Sequence, residues 1–388
     1  MNWKHSLLAL GLAVSLPCVS FEVDDYQTYQ RLQMQLQKDP LTTLSAIERF
    51  VQQVQSSDQQ SQQMAAHLQL QACVALNRYD CAAVAVESLL RLNQDKARKP
   101  ELLNLSAQLH YQTQSYNTVI ERVDNWFVAM QAIEENASAI QSAELYSLKA
   151  YSLFHRQAYR DAAKAMERAV EYQNTEQRER FLLALYQQQG DWHNANRVLR
   201  WLVSQYAENA EYWEKYAYSF LKLDQEKQAV NALGSAYKAN RLPQQSMMLY
   251  AQLLLRFHAP DRAIQVLEQH PQLSDHPRYQ PLLTQSYLLA RDKVKAAEWL
   301  AKSEKKDTYA LQGLLAYQQG NWQQAADLFK RLEASHENNH YWLLLAAISE
   351  FELKRWDSAR DSFQRLAGTR YHELATQWLS QIDYLTRE

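Results

Sequence analysis

The chain has 388 residues, a formal charge of -2, six glycines and eight prolines. Its 41 basic and 43 acidic residues include no Lys/Arg-rich run that could hold a phosphate backbone, so nucleic acid is not expected as a partner. Scarce turn formers beside abundant Gln, Ala and Leu favour long helices over a sheet.

Residues 1–20 separate from the rest. Lys4 precedes the run LLALGLAVSL, Leu7 to Leu16, and the small residues Cys18 and Ser20 suit signal-peptidase cleavage before Phe21. The run is about half of the roughly 20 residues a spanning helix needs, so a cleaved export signal is expected. Lipid attachment at Cys18 would want a small residue before it, and Pro17 stands there. Cleavage removes Lys4 and no acidic residue, which moves the charge from -2 to -3. No later segment is long and apolar enough to cross a bilayer, and the mature chain is expected to be soluble and outside the cytoplasm.

Cys73 and Cys81 remain, eight apart across NRYD in an expected helix turn. An oxidising compartment permits a disulfide there; two ordinary buried thiols are the alternative. Further on, alanines recur at Ala162, Ala195, Ala229, Ala263, Ala296, Ala325 and Ala359, spaced 33, 34, 34, 33, 29 and 34. Twelve residues before them stand small residues, as Ala150, Ala217, Ala251, Gly313 and Ala347. Four residues after stand large apolar ones, as Met166, Leu199, Leu233, Leu267, Leu300, Phe329 and Phe363. An aromatic often precedes the alanine by three, as Tyr159, Trp192, Trp322 and Trp356, and GDW (190–192) and GNW (320–322) mark tight turns.

Two antiparallel helices approach closely only where small side chains face each other, and the larger residues fill the space around that contact. Each pair leaves an apolar face that the next pair buries, so the pairs stack into a superhelix. With this pattern the chain resembles a tetratricopeptide repeat (TPR) protein. The resemblance implies an all-α, right-handed solenoid of helix-turn-helix units.

The regular repeats are expected over 143–368. Before them, Ala46, Ala82 and Val119 continue the ladder at spacings of 36, 37 and then 43, with Tyr79 and Tyr116 in the aromatic slot. Degenerate helical repeats are therefore expected over 21–131, with a boundary near AIEENASAIQS (132–142). HPQLSDHPRYQP (270–281) predicts an extended loop. Over 369–388 a capping helix is expected, its stripe formed by Leu374, Trp378, Ile382 and Leu385.

HENNH, residues 336–340, spells the H-E-x-x-H of zinc proteases, which needs both histidines on one continuous helix. The ladder instead places it at a turn between repeats, and Leu343 and Ala346 stand where one large zincin class has glycine and a third histidine. Carboxylate pairs such as Asp24 with Asp25 and Glu134 with Glu135 read as solvated helix ends. With no nucleophile elbow and no phosphate-cradling loop, neither catalytic residues, metal nor cofactor are expected.

In TPR proteins the first helix of each pair lines the concave face. Carried onto this chain, the resemblance implies partner contacts at Tyr151, His155, Arg180, Gln187, Glu214, Tyr218, Gln252, Arg256, Arg278 and Gln285. Such a mixture of rings, cations and amides suits an extended peptide. The Lys and Asn set of chaperone-tail TPRs is not found.

Residues 224–255 (DQEKQAVNALGSAYKANRLPQQSMMLYAQLLL), HAPDRAIQVLE, FELKRWDSARDSFQRL and ATQWLSQI resemble the TPR accessory proteins of TonB energy-transducing systems. That likeness implies a non-catalytic periplasmic scaffold aiding iron-siderophore uptake. The alternatives are an envelope-assembly scaffold for peptidoglycan or pilus machinery, and a zinc-dependent periplasmic protease acting through HENNH.

Overall fold

A computed structural model describes residues 23–133, 137–302, 308–335 and 339–386, so the expected export signal lies outside them. Among the described residues there is no strand. Contacts divide the chain into two compact units, one ending at Ala195 and one beginning at Asn196.

The first unit holds α1 (Val23–Lys38), α2 (Pro40–Gln53), α3 (Gln59–Ala75), α4 (Tyr79–Leu92), α5 (Lys99–Gln112), α6 (Tyr116–Ala132), α7 (Ala139–His155), α8 (Tyr159–Tyr172) and α9 (Glu176–Gln189). Helix α10 (Trp192–Gln205) crosses the division. The second unit holds α11 (Ala210–Lys222), α12 (Glu226–Lys238), α13 (Gln244–Arg256), α14 (Pro260–Glu268), α15 (Tyr279–Leu289) and α16 (Lys293–Ala301). It continues with α17 (Tyr309–Gln319), α18 (Trp322–Ser335), α19 (His340–Glu352), α20 (Trp356–Gln364) and α21 (His372–Leu385). The expected boundary at 132–142 falls between α6 and α7, inside the first unit.

From α3 to α20 the helices pair as hairpins with one repeated turn. The residue two before each second helix is left-handed, with φ between 54° and 77°: Asn77, Gln114, Gln157, Gly190, Asp224, His258, Arg291, Gly320 and Lys354. The next N–H then donates to the carbonyl five residues back at 2.8–3.0 Å, as Arg78 does to Cys73 and Arg355 to Glu350. This closure satisfies a helix carbonyl that would otherwise be orphaned. Only Gly190 and Gly320 among these relieve the left-handed conformation by lacking a Cβ, which is why GDW and GNW mark their turns by a glycine. The aromatic residues Tyr79, Tyr116, Tyr159, Trp192, Trp322 and Trp356 are each the first residue of a second helix.

The ladder is the buried seam. Ala82, Ala162, Ala195, Ala229, Ala263, Ala296, Ala325 and Ala359 are fully buried, as is Val119. At Gly313 the reason is explicit: a Cβ there would lie 2.7 Å from Cε1 of Phe329, a ring that is itself fully buried. Two members differ from expectation. Ala46 is half-buried while Ile47 is fully buried, because α1 and α2 join through Asp39 alone and do not share the left-handed turn. Leu300 is half-buried because α16 ends one residue later.

The stretch 270–281 is compact, correcting the expected extended loop. Pro271–Leu273 form a short 3-10 turn, Leu273 is buried, and α15 already begins at Tyr279. The C-terminal helix α21 covers the last hairpin as expected, but through a shifted stripe. Ala375 and Ile382 are buried, and Trp378 stacks on Phe363 at 5.9 Å, whereas Leu374 and Leu385 are exposed. Asp25, expected to be solvated, is buried with Oδ2 unpartnered; Glu134 and Glu135 lie outside the described residues.

Candidate functional site

Helices α13, α15, α17 and α19 are the first helices of four consecutive hairpins in the second unit. Residues three and four apart share a helix face, and here that face carries Leu249 and Gln252, then Leu282, Gln285 and Leu289, then Leu314 and Gln318, then Tyr341 and Leu345. Two clefts lie along these faces. One, of about 440 Å³, is lined by α13 and α15 residues and by Leu311 of α17, with His276 and Arg278. The other, of about 750 Å³, is lined by α15, α17 and α19 with Arg291 and Lys293. Gln285 lines both, so the two clefts adjoin along these helices and together make up the groove.

The groove floor is apolar and its walls are held from behind. Trp342 stacks on buried Phe329 with ring centroids 5.7 Å apart and planes 15° from parallel. Gln318 ties α17 to α15 by donating Nε2–H to the Leu288 carbonyl at 2.8 Å. Burial, followed by the nearby charge of Glu352, pushes the Tyr317 hydroxyl above its ordinary pKa. Burial and Tyr371 do the same for Tyr341, so both phenols stay neutral and able to donate. Arg278, Arg291 and Lys293 supply positive charge, and among the described residues no carboxylate lines either cleft. The arrangement can bury apolar side chains and attract acidic ones.

Of the ten residues marked as partner contacts, the structure brings Gln252, Arg278 and Gln285 together in the first cleft. The others have different surroundings. Tyr151 packs edge-on against Phe181 at 4.5 Å, and His155 stacks on Tyr116 at 4.6 Å, both within the first unit. Glu214 accepts hydrogen bonds from Gln245 and Ser246, each at 2.8 Å. Arg256 pairs with Glu226, and Lys222 lies 5.2 Å from the centre of the Tyr218 ring. Arg180 is exposed and Gln187 half-buried, and neither lines a cleft described here. The apolar groove residues Leu249, Leu288, Leu314, Tyr317, Trp342 and Leu345 were missed, because apolar positions on a first helix read as seam packing until their neighbours are known.

Cys73 and Cys81 lie in bonding contact across the α3–α4 turn, with Cα atoms 5.7 Å apart, the separation a disulfide requires. For HENNH, His336, Glu337 and Asn338 lie outside the described residues. Helix α18 ends at Ser335 and α19 begins at His340, behind Asn339, whose side chain accepts from the Tyr341 N–H at 3.3 Å. Among the described residues no helix is long and apolar enough to cross a membrane.

Residues 311–371, which span α17 to α20 and one wall of the groove, match the tetratricopeptide repeat family. No curated protein matches the chain. Among solved structures it is similar to a chain of Naa15/Naa10 bound to HypK-THB (TM-score 0.48, 12% identity, covering 82% of this chain and 49% of that one). It thus spans about half the length of that protein. It is also similar to a tetratricopeptide repeat protein of Parabacteroides merdae (TM-score 0.33, 15% identity, 64% of this chain and 98% of that one). A third is pilF of Pseudomonas aeruginosa (TM-score 0.34, 16% identity, 56% of this chain and 100% of that one).

Proposed function

We propose that the chain is a protein-binding scaffold that holds an extended partner segment in the groove of α13, α15, α17 and α19. The observation that carries this reading is the pair of clefts sharing Gln285, with an apolar floor and a cationic rim. Apolar side chains of the segment would seat against Trp342, Leu314 and Leu345, with its carboxylates near Arg278, Arg291 and Lys293. Rings and arginines of this kind carry most of the energy in protein interfaces. Peptides selected from a random library on the full chain test the reading by fluorescence anisotropy. Leu345→Arg should weaken them at least about tenfold, since it puts an unpaired charge on the apolar floor. Equal affinity for the wild type and this variant overturns the proposal.

The finer reading is a periplasmic accessory of a TonB system in iron-siderophore uptake. It is supported by the likeness of residues 224–255, which include Leu249 and Gln252 of the groove, and by the apolar run Leu7 to Leu16. Deletion should abolish energised siderophore uptake while receptors remain present, and the protein isolated from the periplasm should begin at Phe21. Normal uptake removes the TonB role and leaves the scaffold standing. A chain that keeps Met1 and stays in the cytoplasm removes export.

A further inference from the structure

The first unit contains a small pocket that shares no lining residue with the groove. It lies among α1, α3, the end of α4 and the start of α5, and holds about 40 Å³. His67 lines it, only 5% exposed, with both ring nitrogens buried and unpartnered. An unpaired buried polar group costs about 1–3 kcal/mol, so such a ring calls for an occupant that hydrogen-bonds to it. Arg98 lines the same pocket, half-buried and close enough for its charge to act on the imidazole, and among the described residues no carboxylate lines the wall. Tyr29 completes the polar lining with a hydroxyl that burial, then Tyr26, pushes above its ordinary pKa, so it stays a neutral donor. Gln63 and Asn93 each commit one amide N–H, to the Leu92 and Asp95 carbonyls at 2.6 and 2.7 Å, and keep the other.

The donors and the guanidinium disfavour a cation. At roughly 10–15 Å³ per water-sized group the space takes about three such groups, the size of a carboxylate head. Met64, Leu89 and Leu102 form the apolar side against which its carbon would rest. We propose that this pocket binds a carboxylate, which accepts a hydrogen bond from the His67 ring and pairs with Arg98. The carboxylate could come from a free small acid or from a chain end, and the two share this recognition.

The test uses the full chain and the His67 ring resonances, assigned with His67→Gln, at constant ionic strength. Acetate, a tripeptide with a free C-terminus and its amidated form are titrated in turn. A saturable shift is expected with acetate or with the free-ended tripeptide, but not with the amide. Acetate alone indicates a free acid, and the tripeptide alone a chain end. Arg98→Gln, whose fold is checked by its thermal melt, should weaken binding about tenfold or more. No saturable shift with either carboxylate, an equal response to chloride, or an unchanged affinity in Arg98→Gln overturns the site and leaves an ordered water against the ring.

Discussion

In the unit ending at Ala195, aromatic rings close over one another. Tyr111, Tyr116, His155, Phe154 and Phe181 form a continuous set of contacts with centroids 4.6 to 6.3 Å apart. The unit from Asn196 uses the same hairpin turn and the same alanine seam, yet the first helices α13, α15, α17 and α19 leave clefts between them. Polar groups are also deployed differently. The first unit buries an unpartnered imidazole at His67 and gathers Ser106, His110 and Arg122 around Glu87, whereas the cations of the groove stand at its rim. The same hairpin therefore carries ring-covered first helices and a buried imidazole in one unit and cleft-lining first helices in the other, and side chains off the seam make the difference.

The largest expected effect concerns pH and should separate the units. Burial, then the charge of Arg98, pushes the His67 imidazole down to about 4. Between its ordinary value near 6.5 and 4 the unfolded chain binds a proton that the folded chain refuses. Stability should therefore fall as pH drops through that window, by up to about 3 kcal/mol, and remain lost below it. Hydrogen exchange should show the loss in α3 and α5 but not in α17 or α19, and His67→Leu should flatten it. Glu87 acts only at lower pH. Burial raises its pKa, but hydrogen bonds from His110, Arg122 and Ser106 together with the Arg122 charge outweigh that, holding it well below the carboxylate range. Its stabilisation is present above about pH 4.5 and is lost as acid protonates it.

Reduction of Cys73 and Cys81 is the next lever. A bridge closing a loop of eight residues stabilises by about 2.5 kcal/mol through the unfolded state. Protein folded under oxidising conditions should lose that amount on reduction, with the effect confined to the first unit in exchange measurements. Identical urea midpoints with and without reductant would show that the two thiols are not bonded.

In the second unit, Gly313→Ala should cost about 1–3 kcal/mol, because the added methyl meets the Phe329 ring at 2.7 Å and that ring, fully buried behind Trp342, has nowhere to retreat. Peptide affinity should fall with stability if Phe329 sets the position of Trp342. The smallest effect belongs to the shared turn. Lys354→Gly should stabilise by about 0.5–1 kcal/mol by removing a left-handed lysine, and Gly190→Ala should destabilise by a similar amount, since its Cβ would meet nothing and strain alone would act. Thermal melts of both variants check the pair. No change in either would mean that the surrounding hairpins absorb the strain.

Much of the fold was legible because its signal is local and periodic. Ala229 and Ala263 could be placed on a seam from spacing alone, and Trp322 and Trp356 mark helix starts since the same turn precedes each. The register at Ala46 was misread for want of that turn. Leu374 was assigned to the wrong face of α21, because a helix with several apolar residues offers more than one stripe and only the neighbour selects it. Of the groove, Gln252, Arg278 and Gln285 were marked from the face they occupy. Trp342 and Leu345 were not, because seam and groove residues are chemically alike.

Small side chains at near-constant intervals determined by themselves that this chain forms helical hairpins and which residues those hairpins bury, since close approach of two neighbouring helices depends on residues within one repeat. The tertiary structure alone decided that Leu249 and Leu345, nearly a hundred positions apart, line adjoining clefts that share Gln285, and that His67 is buried without a partner beside Arg98. Cleft shape and desolvation depend on several helices at once, and no single segment of sequence carries that information.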